Sequence, residues 1–447
     1  MMLLCTLFCL ISTRKTNPPI VVLPGLFDTI LSAKKSNYMD WNCKSNYYDY
    51  YKNGNISNIK DYNAFECYCK IFGMVANNSG LYNSKFVESV KASDVLDDIK
   101  TFKSDKNEIY HIKYDWRIGL SWPNSTNFWD KLKNSIEYAF NENDQTKVCL
   151  VSVSYGGLLA SYFLGKQMEE SWVQKYINSS IFIAPAYSGS FQILDYFMSL
   201  DWNKNFNGEK YERDFIMNMP SFYDLLPNQV VHKDKPMLFY KNGSSFKINK
   251  IFDILNAQGK VSKEIYHKSE KIHRFLPYDP RVPVLIIYNS GINTSNGYIF
   301  KDDNTKKGFL YEEGDGVISA IDAIYGANWT HNDKSIVCID FKNDGNAFNH
   351  SNLIKNPFVI KTILEFINDK DWTLYTGIKF FIAPLVNISG ENEIIEIENR
   401  TFWTEKGNWN ENSLMSKQTS YILYILAPIV LIGIIIVLTF ALLKLKN

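Results

Sequence analysis

The residues Val148–Leu164 constrain the fold of this chain more than any other stretch. Val148–Val151 is an apolar run of the length of a buried strand, and apolar residues recur at helical spacing from Leu158 onward. Between these patterns lie residues 152–157, Ser-Val-Ser-Tyr-Gly-Gly, which are mostly small. This layout is typical of a nucleophile elbow, in which a sharp strand-to-helix turn lifts a serine hydroxyl above the carboxyl end of a sheet.

Within this elbow, Ser154 is the candidate nucleophile and Ser152 is its nearest competitor. The positions two before and two after the nucleophile must carry small residues, because larger side chains would collide with the neighbouring strand. Ser152 and Gly156 meet this need around Ser154, although the usual motif has glycine where this chain has Ser152. If Ser152 were the nucleophile, a serine would stand where the elbow needs glycine, so we reject that register.

Two further positions carry residue types that activate a serine. Asp315 lies in a glycine-bounded turn after the predicted strand Val282–Tyr288, and His350 lies in a loop after the predicted strand Ser335–Asp340. The chain order of serine, aspartate and histidine is that of α/β-hydrolases. Because each residue follows a strand, the carboxyl edge of one sheet would bring all three together.

The expected chemistry of these residues is that of an activated serine. His350 would take the proton of Ser154, and Asp315 would orient the imidazole and stabilise its charged form. The alternatives are a solvated turn carboxylate for Asp315 and a surface histidine for His350. His331 is the other histidine that follows Asp315, but it lies in a polar turn. The sequence contains no metal-binding motif, so we predict neither metal nor cofactor.

The pattern along the chain predicts the α/β class. Predicted strands alternate with predicted helices, which indicates a mostly parallel sheet with helices on both faces. With the order of the candidate residues, this predicts an α/β-hydrolase fold at residues 17–380, with an inserted lid at residues 39–82 and a long, irregular cap at residues 188–270. The other predicted strands are Pro18–Leu23, Ile109–Tyr114 and Ser180–Ala184, and the predicted helices are Phe86–Phe102, Asn127–Ala139 and Pro357–Asn368.

Both ends of the chain carry apolar segments. Residues 1–13 predict a signal peptide. Residues 421–443 are uncharged and long enough for a transmembrane helix, and Lys444 and Lys446 follow them. We therefore expect a single-pass type I protein of the secretory pathway or cell surface, with a polar stalk at residues 390–420 and a cytosolic tail at residues 444–447.

Charge and cysteine content narrow the partners and the compartment. A formal net charge of +1 without any basic block argues against a nucleic-acid partner. Five of the seven cysteines would remain after signal cleavage, and an odd number in an oxidising compartment implies a free thiol. Cys43 could pair with Cys67 or Cys69. Several glycosylation sequons, among them Asn55 and Asn77, agree with a secretory glycoprotein.

The chain resembles the lecithin:cholesterol acyltransferase family, which includes lysosomal phospholipase A and phospholipid:diacylglycerol acyltransferase. Together the matching motifs span residues 18 to about 368. They are Val21–Leu26 for the opening strand and turn, Cys43 and Cys67 for the lid disulfide, Tyr114–Arg117 for a family tetrapeptide, the elbow running on into Tyr162–Leu164, Ile183–Pro185, and finally Gly314–Val317 with His350.

The resemblance implies transfer of an acyl chain from a phospholipid through an acyl-Ser154 intermediate. The acceptor would be water, a sterol or diacylglycerol at a membrane, and no cofactor would take part. The resemblance also implies an oxyanion hole made by the backbone N–H groups of Leu26 and Tyr155, and a Cys43–Cys67 disulfide. The alternative is a membrane-anchored surface glycoprotein that keeps the fold and lacks the reaction.

Overall fold

The computed structural model describes residues 17–403, except 38–61, 78–79, 86, 123–126, 200–209, 234, 241–242, 258, 301–305, 330–334, 369–376, 383–385, 389–393 and 397–401. The predicted signal peptide, transmembrane helix and cytosolic tail lie outside the described residues, as do Cys43 and His331. In the part of the chain that is described, no helix has the length and apolar character needed to cross a bilayer.

The described residues form eighteen strands and twelve α-helices. The strands are β1 (Ile20–Leu23), β2 (Thr29–Lys35), β3 (Met74–Asn77), β4 (Gly80–Asn83), β5 (Val87–Val95), β6 (Ile109–His111), β7 (Val148–Val153), β8 (Ile177–Ile183), β9 (Pro236–Tyr240), β10 (Ser245–Lys247), β11 (Val284–Tyr288), β12 (Ile292–Phe300), β13 (Lys306–Gly314), β14 (Ser335–Asp340), β15 (Gly377–Ile382), β16 (Val386–Ile388), β17 (Ile394–Glu396) and β18 (Phe402–Trp403). The helices are α1 (Tyr62–Phe72), α2 (Asp97–Lys100), α3 (Phe128–Glu142), α4 (Tyr155–Tyr162), α5 (Glu170–Tyr176), α6 (Phe191–Ser199), α7 (Lys210–Met217), α8 (Pro220–Asp224), α9 (Ile248–Ala257), α10 (Lys263–His273), α11 (Ala320–Ile324) and α12 (Pro357–Asn368).

The central sheet has eight strands in the order β18-β15-β14-β11-β8-β7-β1-β6. Every neighbouring pair is parallel except β15 and β18, so the predicted parallel sheet is confirmed. The strand β18 lies within the segment predicted as a stalk. All residues of β7 and β11 are buried, as expected for parallel strands with helices over both faces.

The two faces of the sheet are covered by different helices. On one face, α12 packs against residues of β7, β8, β11 and β14 through Val359, Ile363 and Ile367. On the other face, α3, α4 and α5 pack against β1, β7 and β8, with Leu132 and Ile136 of α3 fully buried. This arrangement leaves the carboxyl ends of the strands free of covering helices, where loops can gather side chains.

The helix predicted over Phe86–Phe102 is wrong. Most of this segment is the strand β5, which pairs antiparallel with β2, and only the short α2 is helical. The ends of β5, Val87 and Val95, are buried. The pairing partner lies far away along the chain, so the tertiary pairing and the β-branched valines override the helical pattern of the local sequence.

The two predicted insertions contain regular structure. The lid segment includes α1 and the hairpin β3–β4, and the cap segment carries the five helices α6 to α10 with β9 and β10. The expectation of an irregular cap is therefore wrong. The strand β9 pairs parallel with β12, so the cap contributes to a second sheet in the order β10-β9-β12-β13.

Candidate active site

The turn between β7 and α4 holds Ser154 in a strained backbone conformation, with φ 51° and ψ −119°. A side chain at Gly156 would place its first carbon 2.4 Å from the carbonyl oxygen of Pro24, so only glycine fits there. Ser152 is fully buried, and its hydroxyl donates to the carbonyl oxygen of Ile181 at 3.2 Å. The turn therefore presents Ser154 at the sheet edge and directs Ser152 into the protein.

The three candidate residues lie in one hydrogen-bonded row, which we call the Ser154 cluster (Ser154, Asp315 and His350). The Nε2 atom of His350 lies 2.8 Å from Oγ of Ser154. The Nδ1 atom of the same ring lies 2.7 Å from Oδ2 of Asp315. The imidazole thus stands between the hydroxyl and the carboxylate, which is the arrangement that proton transfer from serine requires.

The turn that carries Asp315 is fixed by its own backbone. The second carboxylate oxygen, Oδ1, accepts the N–H groups of Val317 at 3.0 Å and Ile318 at 2.7 Å. Gly314 has no room for a side chain beside Thr294, and Gly316 has a φ of +94°, a value that favours glycine. The hairpin β12–β13 separates this turn from β11, so Asp315 reaches the sheet edge from the end of β13.

The loop that carries His350 is tied to the loop after β11 by polar side chains. Asn289 accepts the N–H of Asn343 at 2.8 Å and donates to the carbonyl oxygen of Phe348 at 3.0 Å. The backbone N–H of His350 donates to the carbonyl oxygen of Asp315 at 2.9 Å. These hydrogen bonds fix the loop that carries His350, so that the imidazole ring stays beside Ser154.

Burial and charge act in opposite directions on His350. Burial lowers the pKa of the imidazole, but the charge and hydrogen bond of Asp315, with a contribution from Asp28, raise the pKa above its ordinary 6.5. Burial also raises the pKa of Asp28 to about 6, although the N–H of Gly25 and the charge of His350 oppose that rise. The histidine is therefore a good proton acceptor near neutral pH.

The turn after β1 brings a second backbone N–H close to Ser154. A first side-chain carbon at Gly25 would lie 3.1 Å from Cβ of Ser154, so the turn passes directly beside the serine. Among the described residues, the N–H of Leu26 has no hydrogen-bond acceptor. The N–H of Tyr155 begins α4 and has no acceptor within the helix. Both are free to bind an oxyanion.

The family tetrapeptide Tyr114–Arg117 holds the turn after β1 in place. The hydroxyl of Tyr114 lies 3.0 Å from the carbonyl oxygen of Pro24, and the indole N–H of Trp116 donates to the carbonyl oxygen of Thr29 at 3.1 Å. Arg117 forms a buried two-point ion pair with Asp115. The tetrapeptide therefore stabilises the turn at both of its ends, Pro24 and Thr29.

Sequence reasoning missed two carboxyl groups beside the site, the half-buried Asp28 and the buried Asp224. Asp28 accepts the N–H of Gly25 at 2.8 Å, and Asp224 of α8 accepts the hydroxyl of Tyr155 at 2.8 Å. The cue for Asp224 is an acidic residue within the apolar run of residues 222–226, where a lone carboxylate is costly unless it has hydrogen-bond donors. Within the described residues, no cluster of histidine, cysteine or acidic side chains could hold a metal ion.

The cysteines of the lid remain partly outside the described residues. Cys67 is disulfide-bonded, whereas Cys69 is a buried free thiol. Cys149 and Cys338 are also buried free thiols. The pairing of Cys67 with Cys43 stays a prediction, because Cys43 is not among the described residues.

The sheet order and the strand-to-helix turn together define an α/β-hydrolase fold. The nucleophile turn follows the strand β7 between β1 and β8, and the turn after β1 lies beside it. The His350 loop follows β14, and Asp315 follows β13, at the end of the hairpin that comes after β11.

Comparison with known proteins confirms the resemblance to the lecithin:cholesterol acyltransferase family. The family model matches residues 79–247, a range that includes the tetrapeptide and the elbow and ends before Asp315 and His350. Lecithin-cholesterol acyltransferase-like 1 of Arabidopsis thaliana is 26% identical over 277 residues. That match covers 57% of this chain and 59% of the plant protein. The chain therefore resembles this family over the matched residues and spans about three fifths of the length of the plant protein.

Solved structures similar to this chain include bacterial lipases and esterases. The mature lipase of Bacillus licheniformis is 11% identical, with a TM-score of 0.34, and the match covers 79% of this chain and 93% of the lipase. The naproxen esterase of Bacillus subtilis is 11% identical, with a TM-score of 0.30 and coverage of 79% and 85%.

Proposed function

We propose that this protein is a serine-dependent acyl hydrolase or acyltransferase that acts on phospholipids. The observation that carries the proposal is the Ser154 cluster, in which a strained serine, an imidazole and a buried carboxylate lie within hydrogen-bond distance in a row. The relation to the lecithin:cholesterol acyltransferase family supports a lipid ester as the substrate.

The first half of the proposed reaction forms an acyl-enzyme. His350 takes the hydroxyl proton of Ser154 through Nε2 while Oγ attacks the ester carbonyl carbon of the phospholipid. The N–H groups of Leu26 and Tyr155 stabilise the resulting oxyanion, and Asp315 stabilises the imidazolium. The intermediate collapses when His350 returns the proton to the leaving alkoxide, so that lysophospholipid departs and the acyl chain stays on Ser154.

The second half of the reaction repeats these steps with an acceptor hydroxyl. Water, a sterol or diacylglycerol loses its proton to His350 and attacks the acyl carbonyl carbon. The proton then passes to Oγ of Ser154, and the product is a fatty acid, a sterol ester or triacylglycerol. We propose that this occurs at a secretory or cell-surface membrane, as the predicted terminal segments imply.

The proposal is tested by incubating the full chain with phosphatidylcholine labelled in its acyl groups. Vesicles of phosphatidylcholine alone, with a sterol, and with diacylglycerol should show which acceptor receives the label. Ser154→Ala is the control and should release no label in any of the three. If the wild-type chain transfers no label and also fails to react with a fluorophosphonate, the protein keeps the fold without the reaction.

A further inference from the structure

The side chain that follows the candidate nucleophile is held by the cap. Tyr155 is fully buried, and its hydroxyl donates to Oδ2 of Asp224 at 2.8 Å. Asp224 is the last residue of α8 and is also buried. The hydrogen bond between Tyr155 and Asp224 holds the first residue of α4 in place. The position of the backbone N–H of Tyr155 therefore depends on a residue of the cap.

The carboxylate of Asp224 is itself firmly placed against the hydrolase domain. Its Oδ2 atom also accepts the N–H of Leu120 at 2.7 Å. A side chain at Gly119 would place its first carbon 2.8 Å from the same oxygen and 2.8 Å from the backbone of Pro220, so α8 lies directly on this segment. Burial raises the pKa of Asp224 to about 7, while the Leu120 N–H and the Tyr155 hydroxyl lower it.

The same helix contacts the neighbour of the other proposed oxyanion donor. The ring of Phe222 packs edge-on against the ring of Phe27, with centroids 6.1 Å apart. Phe27 adopts a φ of 67° and also packs on Trp116, with centroids 4.4 Å apart. Since Phe27 directly follows Leu26, a shift of Phe222 would displace the N–H of Leu26.

We propose that α8 of the cap positions both donors of the oxyanion hole. Asp224 acts through the hydroxyl of Tyr155, and Phe222 acts through the ring of Phe27. Oxyanion donors work only within a few tenths of an ångström of their best distance, and displacements of about 1 Å cost roughly 10²-fold in rate. Asp224 is thus a positioning residue. This inference rests on the proposed function, because it assigns a role within that reaction.

The test compares Tyr155→Phe with a matched control, Tyr110→Phe, in the full chain. Both variants lose a phenol hydroxyl that donates to a carboxylate. The Tyr110 hydroxyl, on β6, donates to Glu108 at 2.5 Å and accepts an amide N–H of Asn143 at 3.1 Å, and none of these residues belongs to α8 or to the proposed oxyanion hole. The measurements are kcat and KM for p-nitrophenyl butyrate and the rate of reaction with a fluorophosphonate.

Tyr155→Phe should lower kcat and the phosphonylation rate by roughly 10- to 100-fold with little change in KM, because the lost positioning acts in the transition state. Tyr110→Phe should keep the wild-type kcat. Asp224→Ala should lose as much as Tyr155→Phe, and the double variant should lose no more, because the two residues form one contact. Asp224→Asn keeps an oxygen acceptor and should recover part of the loss.

Three outcomes would overturn the inference: a wild-type kcat in Tyr155→Phe, an equal loss of kcat in Tyr110→Phe, or a rise in KM alone in Tyr155→Phe. If Tyr155→Phe does not fold, Phe222→Leu replaces it, and a wild-type kcat in that variant is equally contrary. Failure of the proposed function looks different, because the wild-type chain itself would then leave the fluorophosphonate unreacted.

Discussion

Two regions of this protein combine serine, histidine and aspartate, and they connect them differently. In the Ser154 cluster, the histidine ring is the middle member and contacts its two neighbours through different nitrogens. The second region, which we call the Asp322 cluster, has the carboxylate in the middle. Its members are Ser188, His232, Ser319 and Asp322.

In the Asp322 cluster every other member contacts the carboxylate. The hydroxyl of Ser188 donates to Oδ1, the hydroxyl of Ser319 donates to Oδ2 at 2.7 Å, and Nε2 of His232 lies 2.8 Å from Oδ1. No hydrogen bond joins His232 to Ser188 among the described residues. The side chain of His232 is 3% exposed, against 13% for His350.

The comparison teaches that connectivity, and not composition, decides which of the two regions has the geometry for proton transfer from a serine. Burial raises the pKa of Asp322, but His232 and the two serine hydroxyls lower it below its ordinary 3.8. A carboxylate so well satisfied is a poor base for Ser188. His350, with a pKa raised above 6.5, can instead take a proton from Ser154 near neutral pH.

The largest expected difference is between Ser154→Ala and Ser188→Ala. A fluorophosphonate reacts when Oγ of serine bonds to phosphorus and fluoride departs, so Ser154→Ala should lose labelling entirely. Ser188→Ala should keep full labelling, measured by mass spectrometry of the intact chain. Labelling of Ser188 in the wild-type chain would show that the two clusters have been assigned to the wrong roles.

The next difference is between Asp315→Asn and Asp322→Asn. Asp315→Asn should lower kcat by about 10⁴-fold, by analogy with other serine triads, without loss of fold. Asp322→Asn should leave kcat near the wild-type value but lower the free energy of unfolding by about 3 kcal/mol, as expected when the donors around a buried carboxylate lose their charged acceptor.

The stability difference between wild type and Asp322→Asn should depend on pH. The folded-state pKa of Asp322 lies below 3.8, so the carboxylate stabilises the fold above that value and loses its contribution as the pH falls through the folded pKa. Urea unfolding at pH 7 and pH 3 measures this. A stability difference that stays the same at pH 7 and pH 3 contradicts the lowered pKa of Asp322.

A smaller effect is expected on the pH dependence of activity. The proposed base must be unprotonated, so kcat/KM should rise with pH through the pKa of His350, above 6.5. Asp28→Asn removes a negative charge that raises this pKa, so the rise should move to lower pH. Asp322→Asn should leave the pH of this rise unchanged. A change in that pH would show that Asp322 also affects the pKa of His350.

The smallest effect is expected for Ser152→Gly, which restores the usual elbow motif. The exchange removes one buried hydrogen bond to Ile181, worth about 1 kcal/mol of stability. Activity should be kept or raised, because Ser154 remains in place. If Ser152→Gly abolishes turnover of p-nitrophenyl butyrate while Ser154→Ala spares it, the elbow has been assigned in the wrong register.

Much of the fold could be predicted from the sequence, because strands of a parallel sheet are short apolar runs and active-site residues follow them. This is why Ser154, Asp315 and His350 could be placed at one edge. The strand β5 could not be predicted, since its partner β2 is remote and its own pattern is helical. Pairing over such distances is invisible to local periodicity.

The contacts that the cap makes with the rest of the domain could not be predicted from the sequence either. Asp224 meets Tyr155 across 69 residues, and Ser188 meets Asp322 across 134 residues. The segments between these residues fold into helices and strands. The spacing of residues in the sequence does not predict how these elements pack against each other. A buried carboxyl group in an apolar run indicates that donors must exist, but it does not say which residues supply them.

The sheet β10-β9-β12-β13 has a consequence for how modular this protein is. Two of its strands belong to the cap, and the other two form the hairpin that ends at Asp315. An exchange of caps between related enzymes would cut this sheet and leave β12 with an unpaired edge, which invites aggregation. A functional chimera should therefore transfer residues 236–247 together with residues 292–315. The cap strands and Asp315 would then be transferred as one block.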